Sequence, residues 1–90
     1  MARNTNLTMS STWTELTNAN VTSITIQNQS GAILEVMATT GSAPASEDGR
    51  ILIPAWSFIE NRDLADLFPG VAGADRVFAR GYGQAFVSHA

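Results

Sequence analysis

Along residues 21–29 apolar and polar positions alternate. Ile24 and Ile26 share one face, and Thr25 and Gln27 share the other, which is the period of a half-buried β-strand. Residues 32–40 repeat the pattern, with Ala32, Leu34, Val36 and Ala38 on one side and Ile33, Glu35, Met37 and Thr39 on the other. Turning the charged Glu35 to water buries Leu34 and Val36. The Gln29-Ser30-Gly31 turn signal between the two runs predicts an antiparallel hairpin, with Gly31 at positive φ.

The rest of the chain is mostly of the same kind. Leu7, Met9, Trp13 and Leu16 stand among serines and threonines, which predicts one or two short strands with a break near Ser10 and Ser11. Residues 18–20, Asn-Ala-Asn, form a turn. "GSAPASEDGR", residues 41–50, is the longest run of loop formers. Strand character returns at residues 51–60. Pro54 cannot donate to a ladder, so it divides this stretch into two segments. Residues 76–80 alternate again, Arg76, Phe78 and Arg80 against Val77 and Ala79. "GYG" is a turn or bulge, and a last strand runs through residues 84–90. The first six residues are polar and aperiodic, which predicts a flexible arm over 1–6 ahead of a single β domain over 7–90.

One stretch departs from the β pattern. In "RDLADLFPGV" Leu64, Leu67 and Phe68 fall at helical spacing, Asp63 can cap the start, and Pro69-Gly70 ends the run. A single helical turn has no stability of its own in water. Its three apolar side chains are therefore expected to plug an open end or edge of a small sandwich, with residues 71–75 as a flexible connector. The expected fold class is all-β: a small antiparallel β-sandwich or barrel of about six or seven short strands, with one helical turn near 63–68.

Composition narrows the function classes. Ninety residues make one domain. There is no cysteine and one histidine, which excludes disulfides, zinc–thiolate sites and histidine-rich metal sites. A domain this small gains from a partner subunit, so self-association is the expected extra support. The net charge is −3, there is no lysine, and all five basic residues are arginines scattered along the chain. No basic cluster meets the needs of a nucleic acid. No run approaches the roughly 18 apolar residues of a membrane span. The N-terminus lacks an apolar secretion core, so the expectation is a protein used without crossing a membrane by a standard signal. The sequons at Asn6, Asn20 and Asn28 then read as Asn/Thr richness in strands and turns.

Candidate chemistry is thin. His89 has Ser88 beside it, but adjacent strand residues face opposite ways, so the pair makes no dyad; a solvent-facing or interface histidine is expected. Glu47-Asp48 lacks the interleaved oxygens of a calcium loop, and Asp63 with Asp66 is explained by helix capping. Neither glycine-bearing turn resembles a phosphate cradle. No catalytic residue, metal ligand or cofactor is therefore assigned. Binding is the better prospect. Trp13 and Trp56 suit core or interface anchors. The Arg76-Phe78-Arg80 face has the composition of an interface, or else is a solvated face on which arginine stems cover Phe78. Arg3 in the arm and Tyr82 in the "GYG" turn complete the candidate interface set.

The succession "TWTELT", "VTSITIQNQSG", "TTGSAPASEDG", "DLADLFPGVAGADRVFARG" and terminal "VSHA" resembles short virion structural proteins of tailed bacteriophages and prophages. The shared features are a tryptophan-bearing opening strand, an Asn-x-Ser-Gly hairpin, a Leu-Phe-Pro-Gly turn and an aromatic last hairpin. The resemblance spans nearly everything after the arm. It implies a capsid decoration, or cement, protein on the virion exterior, made in the host cytoplasm. It further implies the major capsid protein as partner and a homo-oligomer, a trimer in the first instance. A tail, neck or fibre component is the alternative in the same setting. From another class, a carbohydrate-binding module using Trp13, Trp56 or Tyr82 as platforms remains open. The resemblance brings no catalytic residues.

Overall fold

A computed structural model describes residues 1–90. It contains eight strands and one helical turn: β1 (Arg3–Thr8), β2 (Thr14–Glu15), β3 (Ser23–Gln29), β4 (Leu34–Thr39), β5 (Ile51–Ile53), β6 (Phe58–Asp63), α1 (Leu64–Leu67), β7 (Arg76–Arg80) and β8 (Gln84–His89). They form two four-stranded antiparallel sheets, ordered β1-β8-β3-β6 and β2-β7-β4-β5. The chain is an all-β sandwich, as the alternation predicts. Between the sheets lies a cluster of 15 buried apolar residues. Ile24, Ile26, Ala85 and Val87 come from the first sheet; Leu34, Val36, Ala38, Val77 and Ala79 come from the second.

The two sheet orders match position by position: each strand corresponds to its chain neighbour in the opposite sheet. The β1–β2, β3–β4, β5–β6 and β7–β8 connections therefore cross between sheets. They gather at one end of the sandwich, where Gly83 O accepts from Met9 N–H at 2.8 Å and Ser10 O accepts from Gly81 N–H at 2.9 Å. This corrects two expectations. The segments around Gln29-Ser30-Gly31 and Gly81-Tyr82-Gly83 are arches between sheets, not hairpins within one. Gly31 also does not take positive φ; Gly41, Gly49, Gly73 and Gly83 do. The physical reason is Asn28. It ends the inward face of β3, is fully buried, and bonds the carbonyls of Ala32 in the crossing segment and of Ile53 at the end of β5.

A second correction concerns the N-terminus. Residues 3–8 are an edge strand, not a free arm. Arg3 through Thr8 register against His89 through Gln84. Backbone pairing holds this polar segment where side-chain hydrophobicity cannot, and Leu7 alone packs against the core.

At the opposite end sits α1. Leu64 and Phe68 are buried in the core cluster, and Leu67 packs against it. Leu64 N–H donates to Thr22 O at 2.8 Å, while the Asp63 side chain makes no capping bond. The backbone of a neighbouring loop starts the turn, in place of the expected carboxylate cap. The connector after it is tied down as well: Val71 and Ala74 lie against the core, and Asp75 N–H reaches Thr39 O at 2.9 Å.

Gly83 closes the β7–β8 arch at φ 70°, and a Cβ there would lie 2.8 Å from Ser30 Cβ. Both the left-handed backbone and the contact oppose a side chain. Gly83→Ala is expected to lower unfolding stability by about 2–3 kcal/mol in urea denaturation.

Candidate docking site

The arches carry three of the large apolar side chains that face water, Ile33, Trp56 and Tyr82. Residues 54–57 form a β-turn closed by Ser57 N–H to Pro54 O at 3.1 Å. Its third residue is Trp56, with φ 64° and 63% exposure. That position ordinarily takes glycine or asparagine, and an L-residue there costs on the order of 1 kcal/mol. The turn is gripped from beneath. Asn28 Nδ2 donates to Ile53 O at 3.1 Å, Pro54 O at 3.2 Å and Ala32 O at 2.6 Å. Asn28 Oδ1 accepts from Ser30 N–H at 3.1 Å and from Ser30 Oγ at 2.9 Å. Asn28 N–H donates to Ser57 O at 2.9 Å. One buried amide thus locks the β3–β4 and β5–β6 arches together.

Tyr82, 72% exposed at the tip of the β7–β8 arch, shares a shallow cleft with Ile33 and Leu52, also more than half exposed. Arg50 and Glu35 complete the cleft wall. Trp56 and the Tyr82 cleft both stand at the arch end, on backbone that Asn28 and Gly83 hold rigid.

The other candidates lie elsewhere, and most are already occupied. Arg3 donates Nη1 to Leu16 O at 3.0 Å, so it is tied to its own chain. Phe78 is 6% exposed, buried with Met37 on the outer side of the second sheet. Arg76 bonds Glu15 Oε2 and Asn20 Oδ1, each at 2.8 Å. Arg80 Nη2 bonds Glu35 Oε1 at 3.1 Å and Glu47 Oε1 at 2.8 Å, and its guanidinium carbon stands 4.4 Å from the centroid of the Trp13 ring. Arg50 Nε meets the same Glu35 oxygen at 2.6 Å. In Arg76-Phe78-Arg80 both arginines are paired across strands and Phe78 is buried. Cross-strand Glu35 and loop residue Glu47 decide this, and spacing within β7 does not reveal them.

The hydrogen bond from Arg80, with its charge, holds the Glu47 carboxyl below the ordinary 4.5. The bonds from Glu35 and Glu47 in turn keep Arg80 protonated beyond any working pH. A depressed carboxylate contributes stability that is complete above its unfolded value and lost as pH falls through the folded one. Thermal melts of Glu47→Gln and of the parent protein are therefore expected to differ at neutral pH and to converge as pH drops below 4.5. Because the pair is exposed, added salt narrows the neutral-pH gap.

His89 differs from its expected exposure. It is the last inward residue of β8, 7% exposed, with Nδ1 3.0 Å from Ala90 O and Nε2 unpartnered. Ser88 points to the other face. No group of three or more His, Asp or Glu side chains converges anywhere in the chain. No helix is long and apolar enough to cross a membrane.

No family model, curated protein or solved structure matches this chain.

Proposed function

We propose that the chain is a structural docking protein that binds a protein surface through its arch end. One observation carries this reading. Trp56 is held in strained, left-handed backbone and left 63% exposed by a fully buried asparagine. Strain of this kind persists where the surroundings over-determine it, and it clusters at ligand-contacting sites. Rigid, exposed aromatics are the anchors of protein interfaces, because little side-chain freedom is lost when they bind.

The partner we propose is the major capsid protein of a tailed bacteriophage, with this chain as a decoration protein on the outer shell. The support for this partner is the resemblance described above, together with a surface that carries no basic cluster. A tail, neck or fibre location is the second reading in the same setting. Exposed Trp56 and Tyr82 also suit stacking on a glycan, whereas Trp13 is covered by Arg80 on one face.

The test is occupancy on purified expanded capsids, measured by co-sedimentation. The parent protein is expected to saturate the shell. Trp56→Gly relieves the backbone strain, so its stability should stay within about 1 kcal/mol of the parent, while occupancy falls at least tenfold. Equal occupancy for both proteins would remove the arch end from the interface. Binding to isolated tails and not to shells would favour the tail reading. Quenching of tryptophan fluorescence by oligosaccharides, with no binding to either particle, would favour the glycan reading.

A further inference from the structure

Four strands end the two sheets, and three of them are closed to further pairing. β2 has two residues, and β5 has three and stops at Pro54. β6 is interrupted: its register with β3 shifts between Ile24 and Ile26, Asn61 takes φ 41°, and Glu60, Arg62 and Asp63 charge its length. Bulges and charges of this sort are how sheet edges are protected against adding another strand.

β1 has none of these devices. It runs six residues in unbroken register with β8, without proline or bulge, and Arg3 at its start is its only charge. The direction of its free backbone groups follows from the ladder. Met9 N–H bonds Gly83 O on the β8 side, and two strands away Asn28 N–H bonds Ser57 O on the β6 side. Alternation from either anchor gives the same result: Arg3, Thr5 and Leu7 pair with β8, and Asn4, Asn6 and Thr8 direct N–H and C=O outward. Their side chains are exposed as well. The one protein contact on these outward groups is the Thr5 hydroxyl on Asn6 O at 3.3 Å, which leaves that carbonyl a second lone pair.

We infer that two copies of this chain pair antiparallel through β1, about a two-fold axis at Asn6, to make one continuous eight-stranded sheet. The register follows from requiring outward residues to oppose outward residues. Asn6 then faces Asn6 of the second copy, and Asn4 faces Thr8; each such pair exchanges two backbone hydrogen bonds. On the inner side Thr5 meets Leu7, and Arg3 meets Met9. No like charges oppose each other, which matters for a chain of net charge −3. The pairing also joins the two outer faces along the row Phe58-Gln27-Phe86-Asn6, whose members are uncharged. A ring of three through sheet edges needs two different open edges, and β1 is the one open edge here. A two-fold dimer therefore takes the place of the homotrimer implied by the resemblance. This pairing does not depend on what the arch end binds.

The test is solution mass by light scattering and sedimentation equilibrium over a concentration series. The parent protein is expected to approach twice 9.6 kDa at high concentration and to dissociate on dilution. Asn6→Pro removes an N–H that the monomer does not use, and is expected to abolish the dimer. Asn6→Lys and Asn6→Asp each oppose like charges at the axis and should weaken association about fivefold. An equimolar mixture of the two should restore it as a heterodimer, an effect that misfolding of either variant would not produce. A parent protein that stays monomeric at every concentration, a trimer, a dimer indifferent to Asn6→Lys, or a mixture no tighter than its components would each overturn the pairing.

Discussion

Asn28→Ala is expected to lower unfolding free energy by about 3–4 kcal/mol, the largest effect of any single polar substitution in this chain. The amide is wholly buried; its two N–H donors are shared among three carbonyl oxygens and its oxygen accepts two hydrogen bonds. Removing it takes a donor from the carbonyls of Ala32, Ile53 and Pro54, leaving Ser30 Oγ on the first and Ser57 N–H on the last, and frees the Ser30 turn. Domains of this size are stable by only about 5–10 kcal/mol, so the loss is about a third or more of the total. Asn28→Asp separates the polar loss from a cavity effect. Its carboxylate would face three carbonyl oxygens in a desolvated site, which raises its folded-state pKa. A raised acid pKa makes the folded state bind the extra proton, so the variant should be most stable in acid and weaken as pH rises. Asn28→Ala should cost the same at both pH values. Urea melts at acid and neutral pH, with intrinsic tryptophan fluorescence as readout, decide the matter. The same melts report on the docking end, because Trp56 sits on the turn that Asn28 holds.

Leu64→Ala is expected to cost about 3 kcal/mol, within the range for deleting a fully buried leucine. The side chain is 1% exposed and lies in the central cluster with Phe68. More informative than the size is its reach. α1 has four residues and no side-chain cap, so burial alone holds it. Without Leu64, the Phe68 N–H bond to Leu64 O and the Val71 N–H bond to Phe68 O lose their support. Amide exchange at Phe68 and Val71 should therefore accelerate well beyond that of β3 and β8. Leu67→Ala, on the half-buried side, should cost about 1 kcal/mol and leave those amides protected. Equal costs for the two leucines would mean that the turn is not anchored as described.

Parts of the docking site were legible in residue order and parts were not. Trp56 and Tyr82 stand beside Pro54 and between Gly81 and Gly83, and turn residues of this kind put side chains at the surface. Their presentation was not legible. It rests on Asn28, whose amide reaches residues 25 and 26 positions further along the chain; in sequence Asn28 is one more polar residue in a turn-rich stretch. Arg76, Phe78 and Arg80 were legible as sharing one face, but the partners that absorb them, Glu15, Glu35 and Glu47, come from another strand or a loop.

By itself, the order of residues determined that the alternating segments extend, which of their faces meets the core, where the helical turn falls, and that the chain is cysteine-free and mostly β. Those properties arise from side-chain period and local turn chemistry, which act over a few residues. Tertiary structure decided which strands pair, that the four segments legible only as turns or breaks are arches between the sheets, and that the polar first residues form an edge strand. Backbone hydrogen bonds are alike at every residue and carry no sequence mark. A segment such as "RNTNLT" therefore gains a partner only when β8 is in place beside it.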